Sequence, residues 1–214
     1  MKKFFLLIGA VMCVSTITAQ SKLEWGVHAG LNLANEKVST ESVSAEINSH
    51  AQFHLGFSVA APIGKKLPFY FATGLEFTGR GGESKNSGNK LSDNLYYLQI
   101  PVSVSYHFNL GEKVSLQPQV GIYYALGLFS NTKVNGEPQQ YDGENFDFFT
   151  EYNGEQGYKS SDLGLRFGVD AVFSKHYKLG LGYDLGLLNI NKDMFDGNIK
   201  VTNGVFYIRL GYNF

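Results

Sequence analysis

From residue 24 onward the chain alternates apolar side chains with small or polar ones at a period of two, which is the mark of strands with two unlike faces. The final nine residues are the clearest case: Phe206, Ile208, Leu210, Tyr212 and Phe214 form one set, Tyr207, Arg209, Gly211 and Asn213 the other. This strand ends the chain on an aromatic residue with no polar tail. The same alternation predicts a first strand over 24–34, a second over 53–61, a third over 69–78 and a fourth over 96–108. A fifth follows over 116–126, a sixth over 162–173 and a seventh over 178–187.

The connections between these strands alternate long and short. Residues 35–50, 79–93, 130–159 and 189–203 read as long polar stretches, whereas Ile63-Gly64-Lys65-Lys66, Asn109-Leu110-Gly111-Glu112 and Ser174-Lys175-His176 read as tight turns. An even number of strands with short turns at one end and long loops at the other predicts an all-β fold. It is an eight-stranded antiparallel up-and-down transmembrane β-barrel, with both termini on the periplasmic side. Pro101 and Pro118 fall inside strands, where a missing N–H predicts a bulge or local break at each.

The two faces decide which solvent lies outside. An eight-stranded barrel has an interior just wide enough for side chains or one small ligand, so the roughly forty apolar residues cannot turn inward. The opposite face, rich in Gly, Ala and Ser, suits a narrow lumen, and no residue of the apolar set is ionisable in the physiological range. On the lumenal face fall Glu24, Glu76, Asp162, Arg166, Asp170, Asp184 and Arg209. These predict a charge network in which Arg166 and Arg209 pair with some of Glu76, Asp162, Asp170 and Asp184, since buried charges need opposite partners. Trp25, Phe69, Tyr106, Phe108, Phe173, Tyr177, Tyr212 and Phe214 cluster towards the short-turn ends, as an interfacial aromatic girdle would.

Composition narrows the class further. In 214 residues, charged side chains make up 17% and aromatics 14%, and 25 glycines stand against 5 prolines, a balance that suits strands rather than helices. A net charge of −1 argues against a nucleic-acid binder, which needs a basic surface. Met1-Lys2-Lys3, the apolar run 4–14 and Ala19-Gln20 describe a secretory signal peptide over 1–19, leaving residues 20–214 as the barrel domain. Cleavage leaves 16 basic against 19 acidic side chains, a charge of −3, and removes Cys13, the sole cysteine. A lipidated Cys13 is the alternative, but Val11-Met12 lacks the small residue expected before it.

Candidate chemistry is sparse. His28, His54 and His107 sit on the lumenal face near carboxylates and serines, the ingredients of a lipid hydrolase, but they point away from the lipid where such an enzyme would work. No fixed spacing gathers them for a metal. Asp142, Glu144, Asp147 and Glu151 lack ordered calcium-loop spacing. Neither a metal nor another cofactor is expected, and the chain reads as non-enzymatic. In the 130–159 stretch, Phe146, Phe148 and Phe149 must either fold over the barrel mouth or contact a partner.

Tyr97-Leu98-Gln99-Ile100-Pro101-Val102 resembles the YLxIPxxL pattern of the PorT-like outer-membrane β-barrel family of Bacteroidetes. Tyr183-Asp184-Leu185-Gly186-Leu187 with Asn189-Ile190 is similar to that family's YxxGLxNI strand, with one residue inserted before Asn189. Asp162-Leu163-Gly164 and the terminal aromatic add to the likeness, which spans essentially the mature chain. The resemblance implies an eight-stranded barrel in the outer membrane of a Gram-negative bacterium and transfers no catalytic site. A monomer is expected, with outer-membrane lipid and lipopolysaccharide around it and a protein partner reached through the external loops. A small pore or ligand-binding barrel is the alternative. Phe206, Ile208, Leu210, Tyr212 and Phe214 would act as the signal read by the barrel-assembly machinery.

Overall fold

The computed structural model describes residues 23–39, 44–46, 48–64, 67–86, 88–192 and 199–214. The signal peptide expected over 1–19, with Cys13, lies outside them. Eight long strands form the molecule: β1 (Glu24–Ser39), β2 (His50–Pro62), β3 (Phe69–Asn86), β4 (Asn89–Tyr106), β5 (Val114–Val134), β6 (Ser161–Phe173), β7 (Tyr177–Gly186) and β8 (Lys200–Asn213). Each pairs antiparallel with its neighbours in sequence, and β1 also pairs with β8, from Gly26 opposite Asn213 to Ser39 opposite Lys200. The ring therefore closes, and a closed ring leaves no unpaired edge.

Period two sorts the faces as predicted. Leu31 is 68% exposed, Leu210 67% and Phe214 74%, whereas Asn32, Tyr207 and Arg209 between or beside them are buried. The apolar residues thus cover the outside of the cylinder and the polar ones fill its middle. No described helix is long and apolar enough to cross a membrane, and the strands themselves supply the apolar span. On β1 the outward apolar set ends at Leu33, and Asn35 and the exposed Lys37 follow it.

The strands are longer than the hydrophobic pattern indicates. The stretch 79–93, expected to be a loop, is instead a continuation of β3 and β4 that pairs from Gly79 opposite Tyr96 to Asn86 opposite Asn89. β5 likewise runs on to Val134, and β1 to Ser39. Beyond the apolar belt both faces of a strand meet water or protein, so alternation fades while backbone pairing persists. β8 begins at Lys200 rather than Phe206, and β7 ends at Gly186 rather than Leu187.

Short turns join the strands at the opposite end. Ser174 and Lys175 both take positive φ, 50° and 69°, the backbone of the tight hairpin turn whose twist matches its strands. Neither proline shifts the register. The β3–β4 ladder skips Gly74 and Leu75 opposite Pro101 and Ile100, then resumes unchanged. The β4–β5 ladder stops at Ser105 opposite Gln119 and resumes at Phe108 opposite Leu116, passing over Pro118. The one register shift in that ladder lies elsewhere, at Tyr96/Tyr97.

Candidate functional site

The lumen is the candidate site, and its centre is an arginine held between two carboxylates. Arg166 on β6 faces Asp184 on β7 in register, and Glu76 on β3 reaches it from across the barrel. Its Nε and Nη2 donate to Asp184 at 2.7 and 2.8 Å, and its Nη1 and Nη2 donate to Glu76 at 2.7 and 2.8 Å. Two bidentate pairs use four of the five donors in the planar fork of arginine. Gln99 completes the layer, its Nε2 donating to Glu76 at 3.0 Å and Asp184 at 3.1 Å.

A second layer lies towards the long connections. Arg80 Nη1 donates to Asp162 at 2.6 Å and to Tyr123 OH at 3.0 Å, and its Nη2 donates to Gln99. The guanidinium also lies 4.4 Å from the Tyr123 ring centroid and 5.3 Å from that of Tyr97, two cation-π contacts inside the barrel. Towards the short turns, Arg209 donates to Asp170 at 2.7 and 3.0 Å. Gly180 makes room for this pair, because a Cβ there would collide with Asp170 Oδ1.

Six of the seven lumenal charges singled out in the sequence thus meet in ion pairs, and Arg166 and Arg209 point inward. Asp162 takes a partner the pattern missed, Arg80, because 79–93 read as a loop. The inward parity of Arg80 with Glu76 and Thr78 was the available signal. Glu24 stands apart at the short-turn rim, lining a cavity together with Lys178.

Among the described residues no lumenal histidine is bonded to both a serine and a carboxylate. His28 Nε2 lies 3.1 Å from Glu76 Oε1, and His54 Nδ1 lies 2.7 Å from Asn32 Oδ1. Ser105 Oγ is 3.2 Å from His107 Nε2, but the other ring nitrogen faces the Gln117 amide at 3.3 Å, and no carboxylate orients it. No cluster of His, Cys, Asp and Glu suited to a metal occurs among the described residues.

Phe146, Phe148 and Phe149 fold over the barrel mouth. Phe148 is buried and stacks on Tyr158 at 4.5 Å, Phe149 meets Tyr97 edge-on at 5.4 Å, and Phe146 packs on Phe148 at 5.0 Å. With Leu95, Tyr123, Ala125, Ile190 and Val201 they form an apolar cap. Asp147 fastens it, its Oδ1 accepting the N–H groups of Ser130 and Phe149, both at 2.9 Å. Tyr158 OH donates to the buried Glu36 at 3.3 Å. Glu36 lies beyond the apolar belt, and burial, then the neighbouring Asp93 charge, push its carboxyl up to about 8.

On the outside, Phe206, Ile208, Leu210, Tyr212 and Phe214 are all exposed. Phe69, Tyr106 and Phe108 contact one another in series, at 4.9 and 4.3 Å, as do Tyr177, Tyr212 and Phe214, at 5.7 and 5.5 Å. Those rings lie at the short-turn end, as the girdle requires.

Among solved structures, a major outer membrane protein from Thermus thermophilus is similar, at 14% identity and a TM-score of 0.50, covering 90% of this chain and 100% of that one. Neisserial surface protein A is similar at 18% identity and a TM-score of 0.49, covering 91% and 99% respectively. A search of curated proteins finds no match. The family model described as outer membrane protein beta-barrel domain matches residues 18–192, so this chain, with its greasy exterior and ion-paired interior, belongs to that outer-membrane barrel family.

Proposed function

We propose that this protein is a non-enzymatic, non-conducting outer-membrane barrel that presents its 135–160 connection and the projecting ends of β3, β4 and β5 to partners outside the cell. The observation that carries this reading is the lumen itself. Two layers of guanidinium–carboxylate pairs and an apolar cap occupy its cross-section, and the side chains that would have to move are among the most buried in the molecule. Displacing a buried, fully hydrogen-bonded ion pair leaves charges without partners, so spontaneous opening is costly. Purified barrel in planar bilayers is expected to give no unitary current. A steady current that disappears on adding a loop-specific antibody would overturn the closed-lumen reading in favour of a pore.

In this reading the short turns and both termini face the periplasm, residues 1–19 direct export, and the long connections face outward. Protease added to intact Gram-negative cells should then cut within the outward connections, 135–160 foremost, and at none of the short turns. The motifs around Tyr97 and Tyr183 support placing the chain with the PorT-like barrels. The absence of a carboxylate behind His107 supports a barrel without hydrolase activity, since a serine nucleophile needs a base that is itself oriented. The exposed strand β8 with its terminal Phe214 fits recognition by the barrel-assembly machinery. Phe214→Asp is expected to lower the fraction of heat-modifiable, folded protein in the membrane.

A further inference from the structure

At the long-connection end, the outer face of the barrel carries a polar pocket just beyond its apolar belt. We propose that this pocket binds a phosphate-bearing sugar of lipopolysaccharide in the surrounding leaflet, with Lys90 and Lys133 on the phosphate. It is a defined site, distinct from the lipid that coats any barrel, and it rests on the orientation proposed above, with the long connections outside the cell.

The strands set its level. Phe53, Phe77, Tyr96 and Phe129 form a chain of rings with successive centroids 5.9, 5.7 and 4.8 Å apart, and rings gathered this way mark the edge of a hydrocarbon belt. From Tyr96 opposite Phe129 the β4–β5 ladder keeps one register to Leu91 opposite Val134, so Asn94, Ser92, Asn131 and Lys133 share the parity of those rings. All four are polar. On the same face β3 adds Glu83 opposite Ser92 and Lys85 opposite Lys90. Lys133 stands four residues past Phe129, about 13 Å along a strand at roughly 3.3 Å per residue and about 10 Å in height at a tilt of about 40°. A phospholipid head layer is only about 5–8 Å deep. The lysines therefore reach its outer edge, where a saccharide head extends and a glycerophosphate does not.

Size and charge select the ligand. The pocket measures about 510 Å³, and His50, Lys90, Ser92, Asn94, Lys133 and Asn135 line it. Allowing each heavy atom the roughly 30 Å³ share of a liquid water, it takes about seventeen, enough for a phosphate and one sugar ring. A bare phosphate would leave most of that space unused, whereas the two amides and the serine hydroxyl suit sugar hydroxyls. Glu83 lies 2.7 Å from Lys90, 3.4 Å from Lys85 and 3.5 Å from His50. Lys133 makes no ion pair among the described residues, so three lysines face one glutamate and the surface keeps a positive surplus. Asp93 and Glu137 have the opposite parity: Asp93 accepts the Thr132 hydroxyl at 2.9 Å, and Glu137 pairs with Val134. Ammonium groups left over in this way draw in an anion, and a phosphate can take two of them.

The test is native mass spectrometry of the purified barrel released from phosphatidylethanolamine nanodiscs. These are doped with rough lipopolysaccharide, with the same lipopolysaccharide after enzymatic dephosphorylation, or with phosphatidylglycerol. One lipopolysaccharide per barrel is expected, retained at least tenfold more than either of the other two. Lys90→Gln with Lys133→Gln should lower that retention at least tenfold, while Lys113→Gln with Lys175→Gln, exposed at the short-turn end, should leave it unchanged. All four side chains are exposed, and heat-modifiable mobility shows that both variants fold. Equal retention of lipopolysaccharide and either other lipid, undiminished retention in the Lys90 and Lys133 pair, or an equal loss in the short-turn pair would overturn the proposal. Both faces of a nanodisc carry every lipid, so the result does not depend on which end leaves the cell. A wrong orientation would show instead as cleavage of the short turns by protease on intact cells.

Discussion

The two halves of the lumen obey one alternation and yet are built differently. In the long-connection half, the inward positions carry Tyr97, Tyr123 and Arg80, and the 135–160 connection adds Phe148 and Phe149, so the interior is packed as in a soluble domain. In the short-turn half, the inward positions carry Ser58, Ser103, Ser105, Gln117 and Gln119, and a cavity remains. What separates them is side-chain volume at positions of the same parity. A lumen is therefore not polar or apolar as a whole: large rings at one level make a plug, and short polar groups at another leave a chamber. The Arg166 layer lies at the boundary and belongs to both.

The largest break in this arrangement is expected from Arg166→Met. It removes the donor from two carboxylates that face each other, and breaking a buried pair costs about 3–5 kcal/mol because uncompensated charge stays behind. Urea unfolding in lipid vesicles, followed by tryptophan fluorescence and gel mobility, reads it. Adding Glu76→Gln and Asp184→Asn to the same chain should return much of the loss. A single variant as stable as the parent would mean that the two layers are not held by charge.

A smaller effect is expected at the cap. Phe148→Ala leaves a cavity between Tyr158 and the Leu95 layer, with a cost of about 3 kcal/mol by analogy with other core phenylalanines. That cost should be confined to the long-connection half. Hydrogen exchange is expected to rise across 146–160 and the ends of β4 and β5, with the β6–β7 hairpin unchanged. Uniform loosening of both ends would show that the halves are one cooperative unit.

The outward face and ring order were legible because a hydrocarbon belt and a narrow lumen impose opposite demands on successive residues. Eight alternating runs leave little freedom to choose which side is which. The network was legible for the same reason at Glu76, Arg166, Asp170, Asp184 and Arg209, all inside clean alternation. Arg80 was not, since beyond Thr78 the positions of outward parity are Gly79, Gly81 and Glu83, none with an apolar side chain, and a strand that leaves the belt loses its pattern though not its pairing. The cap was half legible. Phenylalanines in an acidic connection announce burial, but whether they meet the barrel or another protein depends on contacts such as Phe149 over Gly127 that lie far apart in sequence. The chamber was legible only in its parts, for the short serines and glutamines sit at inward positions of clean alternation, but how they face one another across the lumen depends on strands far apart in sequence.

The smallest effect isolates one carboxyl at the cap. Burial, then the neighbouring Asp93 charge, raise Glu36 to about 8 in the closed state against the hydrogen bond from Tyr158, whereas an opened cap would return it to an ordinary value near 4.5. The closed state therefore binds the extra proton between those values, so closure is favoured most at low pH and its advantage falls as pH rises, levelling off above 8. Between pH 7 and pH 9 the opening equilibrium should grow about tenfold, or about 1.4 kcal/mol. Hydrogen exchange of residues 146–160, corrected for its intrinsic pH dependence, measures this directly. Glu36→Gln keeps the size and the acceptor for Tyr158 but cannot titrate, so its opening should be flat over the same range. If the glutamine variant retained the tenfold rise, Asp93, buried nearby and also raised by its burial, would be the titrating group instead, and the cap would answer to the β4 side of the mouth rather than to β1.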